Sequence, residues 1–315
     1  MAKLLILLLL LNTGQALAAL VKVTPLGSQE GEFCPQDRAL LFEDPDGTRL
    51  LFDPGRTVAG ASDPRLGHID GVLVSHLHGD HLGNAHIKGP NSGCAQTGPM
   101  QSDLPYGNAV AIALGKKAKL VSGSEMPAFF AAKLKALGGD PRQSLLVRFG
   151  GQLKVGGVTI STVPAIHSNG VGPEWIGGDL GSAMAEAGIK GDAGPATGFI
   201  LRFSNGLVAY LSGDTGLSAE QKYVVHDYYR PGLAVINIGD TYTTGPKEAA
   251  FVVEQWLKPA SVIASHANEV ATEKGQLQPD TRSALFLKAV TLPAYLPLSG
   301  RTLAFDGQGR CQSGW

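Results

Sequence analysis

Apolar residues along this chain alternate with polar ones, or gather in short runs, in a pattern that predicts strands more often than helices. Val21-Lys-Val23 alternates, and the runs Ala39-Leu-Leu-Phe-Glu43 and Arg49-Leu-Leu-Phe-Asp53 flank Asp44-Pro-Asp-Gly47. A proline followed two residues on by a glycine suits a reversal, so these two runs predict a hairpin. Asp53-Pro-Gly55 closes it with a further turn signal. Val72 to Val74 reads as a buried strand ending at Ser75. A helix over Ala109 to Lys117 leads to a strand at Lys119-Leu-Val121. Glu125 to Leu137 places Phe129, Phe130, Leu134 and Leu137 at helical spacing and stops at Gly138-Gly139, which predicts a second helix. Ser144 to Val163 reads as strands broken at Gly150-Gly151 and Gly156-Gly157, and the strand from Gly157 to Ile166 delivers His167.

The carboxyl half continues the pattern. Phe199–Phe203 and Leu207–Leu211 form a hairpin around Ser204-Asn-Gly206, with Asn-Gly as the strongest turn signal, and run into Ser212-Gly-Asp214-Thr-Gly216. Ser218-Ala-Glu-Gln221 is a capping box that opens a helix to about Tyr229. Ala234 to Ile238 is a buried strand, Pro246 stands near the first position of another helix, and Ser261 to Ala264 is a strand ending in Ser265-His266. Gly300 to Phe305 adds a final strand. Two Gly-rich stretches interrupt the elements. Gly89 to Gly107 predicts a long loop, either lining the entrance to a site or a tolerated surface insertion. Ser168 to Gly198 contains a short helix at Ser182–Ile189 and Trp175, which either caps a pocket or folds onto the body.

The chemistry concentrates in one turn. Three of the eight histidines, His76, His78 and His81, fall within six residues, with Asp80 between the last two. They follow directly on the apolar run, at the end of a strand where α/β sheets hold ligands. Imidazole and carboxylate bind zinc, iron and manganese, and four such groups this close can feed two adjacent ions.

His76-x-His78-x-Asp80-His81 after an apolar strand resembles the signature of the metallo-β-lactamase superfamily. That resemblance implies an α/β fold, a four-layer αββα sandwich with a metal pair at one edge. It also implies three later ligands in fixed order, a lone His, an Asp and a last His, each at a strand end. His167, Asp214 and His266 stand in that order. By the same resemblance His76, His78 and His167 hold one divalent ion, Asp80, His81 and His266 a second, and Asp214 bridges both. Zinc is the first choice of metal, with manganese or iron as alternatives. The run from Asp214 through Pro246-Lys-Glu-Ala-Ala250 to His266 is similar to the branch related to ascorbate-6-phosphate lactonase. Ser265-His-Ala-Asn-Glu269 departs from that branch, in which an aromatic residue and glycine tend to follow the histidine.

A metal lowers the pKa of bound water toward ~7, so hydroxide is available at neutral pH. The expected reaction is therefore hydrolysis of a small-molecule lactone, other ester, amide or phosphoester, with Asp80 also taking part in proton transfer. Two other classes remain open at this level: an iron-dependent thiol or persulfide oxygenase, and an exported metal-binding protein without catalysis. A β-lactamase fits less well, because the antibiotic-hydrolysing branches typically lack the bridging carboxylate of Asp214.

Composition narrows the setting. The 315 residues carry a formal net charge of −1, and no basic block of five or more residues points to nucleic acid. Lys3, the apolar run Leu4–Leu11 and Ala16-Leu-Ala18 read as an export signal cleaved after Ala18. The run is shorter than the ~20 residues a spanning helix needs, so no stable membrane anchor is expected after cleavage. A periplasmic or secreted product of one domain, residues 19–315, is the expectation, and nothing in the sequence sets its oligomeric state. Three cysteines, Cys34, Cys94 and Cys311, allow one disulfide and one leftover thiol in that compartment.

Overall fold

The computed structural model describes residues 19–94 and 106–314. The expected export signal and most of the Gly89–Gly107 loop lie outside the described residues. Two mixed sheets face each other. The first has eight strands in the spatial order Cys311–Ser313, Leu303–Phe305, Val21–Pro25, Leu40–Glu43, Arg49–Phe52, Gly71–Leu73, Lys119–Ser122 and Ser144–Leu146. The second has seven, in the order Ala294–Tyr295, Ser261–Ser265, Leu233–Asn237, Val208–Leu211, Ala196–Arg202, Val158–Ala165 and Gln152–Val155.

Side-chain alternation explains why these strands read as continuous apolar runs. In Arg49–Phe52, Leu50 and Phe52 face the second sheet, while Leu51 faces the helices outside. Leu73 points inward and its neighbours Val72 and Val74 outward, and in the second sheet Val235 and Ile263 point inward between outward Ala234, Ile236, Val262 and Ala264. A strand covered on both faces needs apolar residues at every position, not at alternate ones. Three cores result, and three cores separate four layers. The middle one lies between the sheets and includes Phe42, Phe199 and Leu211. One outer core packs the helices Asn108–Lys116 and Met126–Ala136 onto the first sheet through Val110, Phe130 and Leu134. The other packs Pro246–Phe251, its continuation Val252–Leu257 and Arg282–Ala289 onto the second sheet through Ala249, Val253 and Phe286. Each fully buried Leu or Phe contributes ~1.5–3 kcal/mol over leaving it in water.

Both predicted hairpins form, with Leu41 opposite Leu51 and Ile200 opposite Tyr210. The differences are local. The short helix expected at Ser182–Ile189 runs from Gly178 to Glu186, opened by Gly177 and Gly178, both at positive φ. The helix Arg282–Ala289 and the short strands Ala294–Tyr295 and Cys311–Ser313 were not foreseen. Thr281 caps that helix, accepting from the Ala284 N–H at 3.1 Å. Trp175 folds onto the body among the helix-side apolar residues of the first sheet. Cys34 and Cys94 are the bonded pair, and Cys311 is the free thiol.

What positions the site is strand direction. In the first sheet, Arg49–Phe52, Gly71–Leu73 and Lys119–Ser122 run parallel, with Leu51, Val72 and Leu120 side by side. In the second, Leu211, Val235 and Ile263 align in the same way. The carboxyl ends of these strands meet at one edge, where the Thr197 N–H donates to the Ser75 carbonyl across the two sheets at 2.9 Å.

Candidate metal centre

Seven side chains converge at that edge. His76, His78, Asp80 and His81 come from the turn after Gly71–Leu73, His167 follows Val158–Ala165, Asp214 follows Val208–Leu211, and His266 follows Ser261–Ser265. The structure brings together every site residue expected from the sequence. They fall into three overlapping groups with donor atoms within 4.8 Å of one another: His76, His78 and His167; His76, His81 and Asp214; Asp80, His81 and His266. Asp214 is central. Its Oδ2 lies 3.0 Å from His266 Nε2, 3.3 Å from His81 Nε2, 3.7 Å from His167 Nε2 and 3.9 Å from His76 Nε2. Asp80 Oδ2 lies 3.4 Å from His266 Nε2 and 3.6 Å from His81 Nε2.

Buried polar atoms normally have hydrogen-bond partners. Here Nε2 of His76, His81 and His266 and Oδ1 of Asp214 are buried without one. Four orphaned donor atoms around one point, of the types that divalent metals prefer, fit a metal centre. A purely hydrogen-bonded cluster would leave these atoms unsatisfied.

The backbone gives way to hold the cluster. His266 sits at φ 52° and Asp53 at φ 39°, in the left-handed region that non-glycine residues rarely occupy. Gly213, at φ +58°, precedes Asp214. A Cβ there would come within 2.9 Å of both Ser75 Cβ and the Thr197 carbonyl, so only glycine fits where the sheets close on each other.

Residues that the sequence reading did not place in the site hold the candidate ligands in position. Asp53, read there only as part of a turn, accepts at Oδ2 from the Ser75 hydroxyl at 2.6 Å and lies 2.7 Å from His81 Nδ1, while its Oδ1 accepts from the Ser75 N–H at 2.8 Å. A carboxylate on Nδ1 fixes the ring and aims Nε2 at the cluster. Ser75 Oγ lies 3.0 Å from His76 Nδ1. Asn169 accepts from the Leu77 N–H at 2.9 Å and so pins the turn between His76 and His78. Buried Arg38 donates through Nε and NH2 to Asp80 Oδ2 at 3.2 and 3.1 Å, and through NH2 to Asn268 Oδ1 at 2.6 Å. No local motif announces Arg38. Asp53 carried a weak signal in Asp-Pro-Gly.

Charge is distributed unevenly. Burial, together with the neighbouring His81, His78 and His167, holds His76 well below its ordinary value even against Asp214. Burial and the His167 and His81 rings lower His78 to about 4. Burial also lowers His167. Those three rings are neutral at neutral pH and have lone pairs available. His81 goes the other way. Burial opposes its charged form, but Asp214, Asp80 and Asp53 surround it and together raise it well above 6.5. Burial likewise opposes ionised Asp214 and Asp80, yet His81 and His266 hold both far below the usual carboxylate range, with Arg38 adding to the effect on Asp80.

A β-lactamase superfamily domain profile matches residues 36–266, from the Arg38 loop to the last histidine. A UPF0173 metal-dependent hydrolase of Methanopyrus kandleri is 31% identical over 223 residues, covering 70% of this chain and 77% of the relative. Another UPF0173 metal-dependent hydrolase, from Polynucleobacter asymbioticus, is 30% identical over 243 residues, covering 74% and 72%. The chain belongs to the metal-dependent hydrolases of the β-lactamase superfamily. Among solved structures, this hydrolase resembles Igni18, a metallo hydrolase from Ignicoccus hospitalis, with a TM-score of 0.57 at 22% identity, over 91% of this chain and 99% of that one. That likeness is one of fold, and it agrees with the four layers described above.

Proposed function

We propose that this hydrolase cleaves a small lactone, other ester, amide or phosphoester with two divalent ions, zinc first and manganese or iron as alternatives. His76, His78 and His167 would hold one ion and Asp80, His81 and His266 the other, with Asp214 shared. The reading is carried by the orphaned Nε2 and carboxylate atoms that face one another at the sheet edge. Bound there, the metals would supply Lewis acidity toward a carbonyl or phosphoryl oxygen and acidify water. The chain's residues do the rest. Asp53 and Ser75 set the His81 and His76 rings, and Arg38 fixes the Asp80 carboxylate. Asp80 is the candidate for handling the proton, because its side chain is 26% exposed on the cavity while Asp214 is buried. A cavity of about 600 Å³ opens over these groups and admits a small molecule.

We also infer that the hydrolase works outside the cytoplasm as one domain from residue 19, after removal of the signal at residues 1–18. A disulfide between Cys34 and Cys94 supports an oxidising compartment.

Elemental analysis of the purified mature protein, paired with a chelator-sensitive screen of lactones, phosphodiesters and β-lactams, tests the reading. Two equivalents of metal and chelator-sensitive ester or lactone turnover are expected. One equivalent of iron with oxygen uptake would replace hydrolysis by oxygenase chemistry. An intact amino terminus at Met1 in material recovered from outside the cell would overturn cleavage after Ala18.

A further inference from the structure

The cavity over the centre is lined by three cationic side chains, Arg38, Arg56 and Lys190, and by two carboxylates, Asp80 and Asp214. The carboxylates are already engaged. Asp214 faces the histidines, and Asp80 faces both the histidines and Arg38. Arg38 is engaged in turn, on Asp80, Asn268 and the carbonyls of Pro35 and Asp37. Arg56 and Lys190 are left. Arg56 is half-buried and braced by neutral partners only, with Nε on Asn84 Oδ1 at 2.9 Å and NH1 on Gln36 Oε1 at 3.1 Å. Its guanidinium is thereby held in place with no carboxylate partner among the described residues. Lys190 is an exposed residue on the cavity lining, and its Cδ lies 3.5 Å from where a Cβ would stand on Gly170. Among the described residues neither Arg56 nor Lys190 forms a salt bridge.

A guanidinium held rigid without a counterion, beside the reacting centre, is the arrangement that receives a planar or tetrahedral anion. We propose that Arg56 and Lys190 form an anion subsite, and that the natural substrate carries a carboxylate or phosphate group apart from the bond that is cleaved. The inference rests on the hydrolase reading for its word "substrate", but the subsite itself is a binding property. It selects anionic esters or lactones over neutral ones of the same size.

Two arms keep the two readings apart. In the first, binding of inorganic phosphate and of acetate to the zinc-loaded full chain is measured by calorimetry, for wild type, Arg56→Gln and Lys190→Gln at equal metal content. Loss of one charge-assisted hydrogen bond weakens binding about tenfold or more. That loss is expected in both variants, and the anion that loses more identifies the group as phosphate or carboxylate. Unchanged affinity for both anions in Arg56→Gln would overturn the subsite, whatever the enzyme hydrolyses. In the second arm, a 4-nitrophenyl half-ester of succinic acid competes with the neutral butyrate ester. A kcat/KM preference for the anion that collapses in Arg56→Gln supports the subsite, and equal turnover of the two esters overturns it. If neither ester turns over, hydrolysis of such esters fails, and the phosphate and acetate measurements alone decide the subsite.

Discussion

His76, His78 and His167 make one side of the centre from imidazoles alone, whereas Asp80, His81 and His266 make the other around a carboxylate with charged neighbours. Burial keeps His76, His78 and His167 uncharged. The opposite side is wired from outside, by Asp53 on His81 and by Arg38 on Asp80. There Asp214, Asp80 and Asp53 push His81 toward its charged form. A cation entering the imidazole side meets uncharged rings, while one entering the other side competes with a proton for His81 and shares Asp80 with a guanidinium. Proximity of ligands is the same on both sides. What differs is the support behind them, and that support should set how tightly each side holds a metal.

The strongest way to break the comparison is to remove what the two sides share. Asp214→Ala should lose metal from both sides together with hydrolysis, measured by elemental analysis and a chelator-sensitive ester assay. Full activity in that variant would refute the shared-carboxylate assignment. Next, His167→Ala and His266→Ala should each lower metal content by about half and abolish turnover, because each touches one side. Loss of all metal in either variant would mean that the sides do not fill separately. Asp53→Asn sharpens the contrast. It should weaken metal binding by ~10–100-fold on the His81 side and much less on the His78 side, read as one affinity moving in a two-site titration.

The smallest effect lies away from the metal. Burial pushes the Asp37 carboxyl up from 3.8 to about 6, against hydrogen bonds from Cys34 and Ser28 and the charge of Arg38. The folded state therefore binds more protons than the unfolded chain between those values, and stability falls as pH rises from about 4 to about 6. The decline amounts to roughly 2–3 kcal/mol. Asp37→Asn should flatten it, as measured by urea unfolding across that range. An identical slope in wild type and variant would assign the titration to other groups.

The sandwich was legible in the sequence because strands covered on both faces leave unbroken apolar runs, and because Asp44-Pro-Asp-Gly47 and Asn205-Gly206 mark their reversals. The ligand turn was legible because its donors are neighbours in the chain. His167, Asp214 and His266 are single residues in ordinary surroundings, and only the expected ligand order singled them out. Arg38 and Asp53 were not legible as site residues. Their partners, Asp80 and His81, lie far along the chain, and a buried arginine or a turn aspartate looks like any other until the sheets close. Short edge strands such as Ala294–Tyr295 escaped because two residues carry no period. The choice of Cys34 and Cys94 over Cys311 depended on spatial approach, which spacing does not encode.

That bond, buried at its Cys34 end, reaches further than the two residues it joins. The Cys34–Cys94 link spans 60 residues and encloses both hairpin strands, Asp53 and the whole His76–His81 turn. Closing a loop of that length restricts the unfolded chain by about 4 kcal/mol in the entropic description. It also anchors the segment that presents Arg38 to Asp80. Reduction of that bond should consequently loosen the grip of the His76–His81 turn on a cation without altering a single donor atom, a loss that a metal titration with and without a thiol reagent would read.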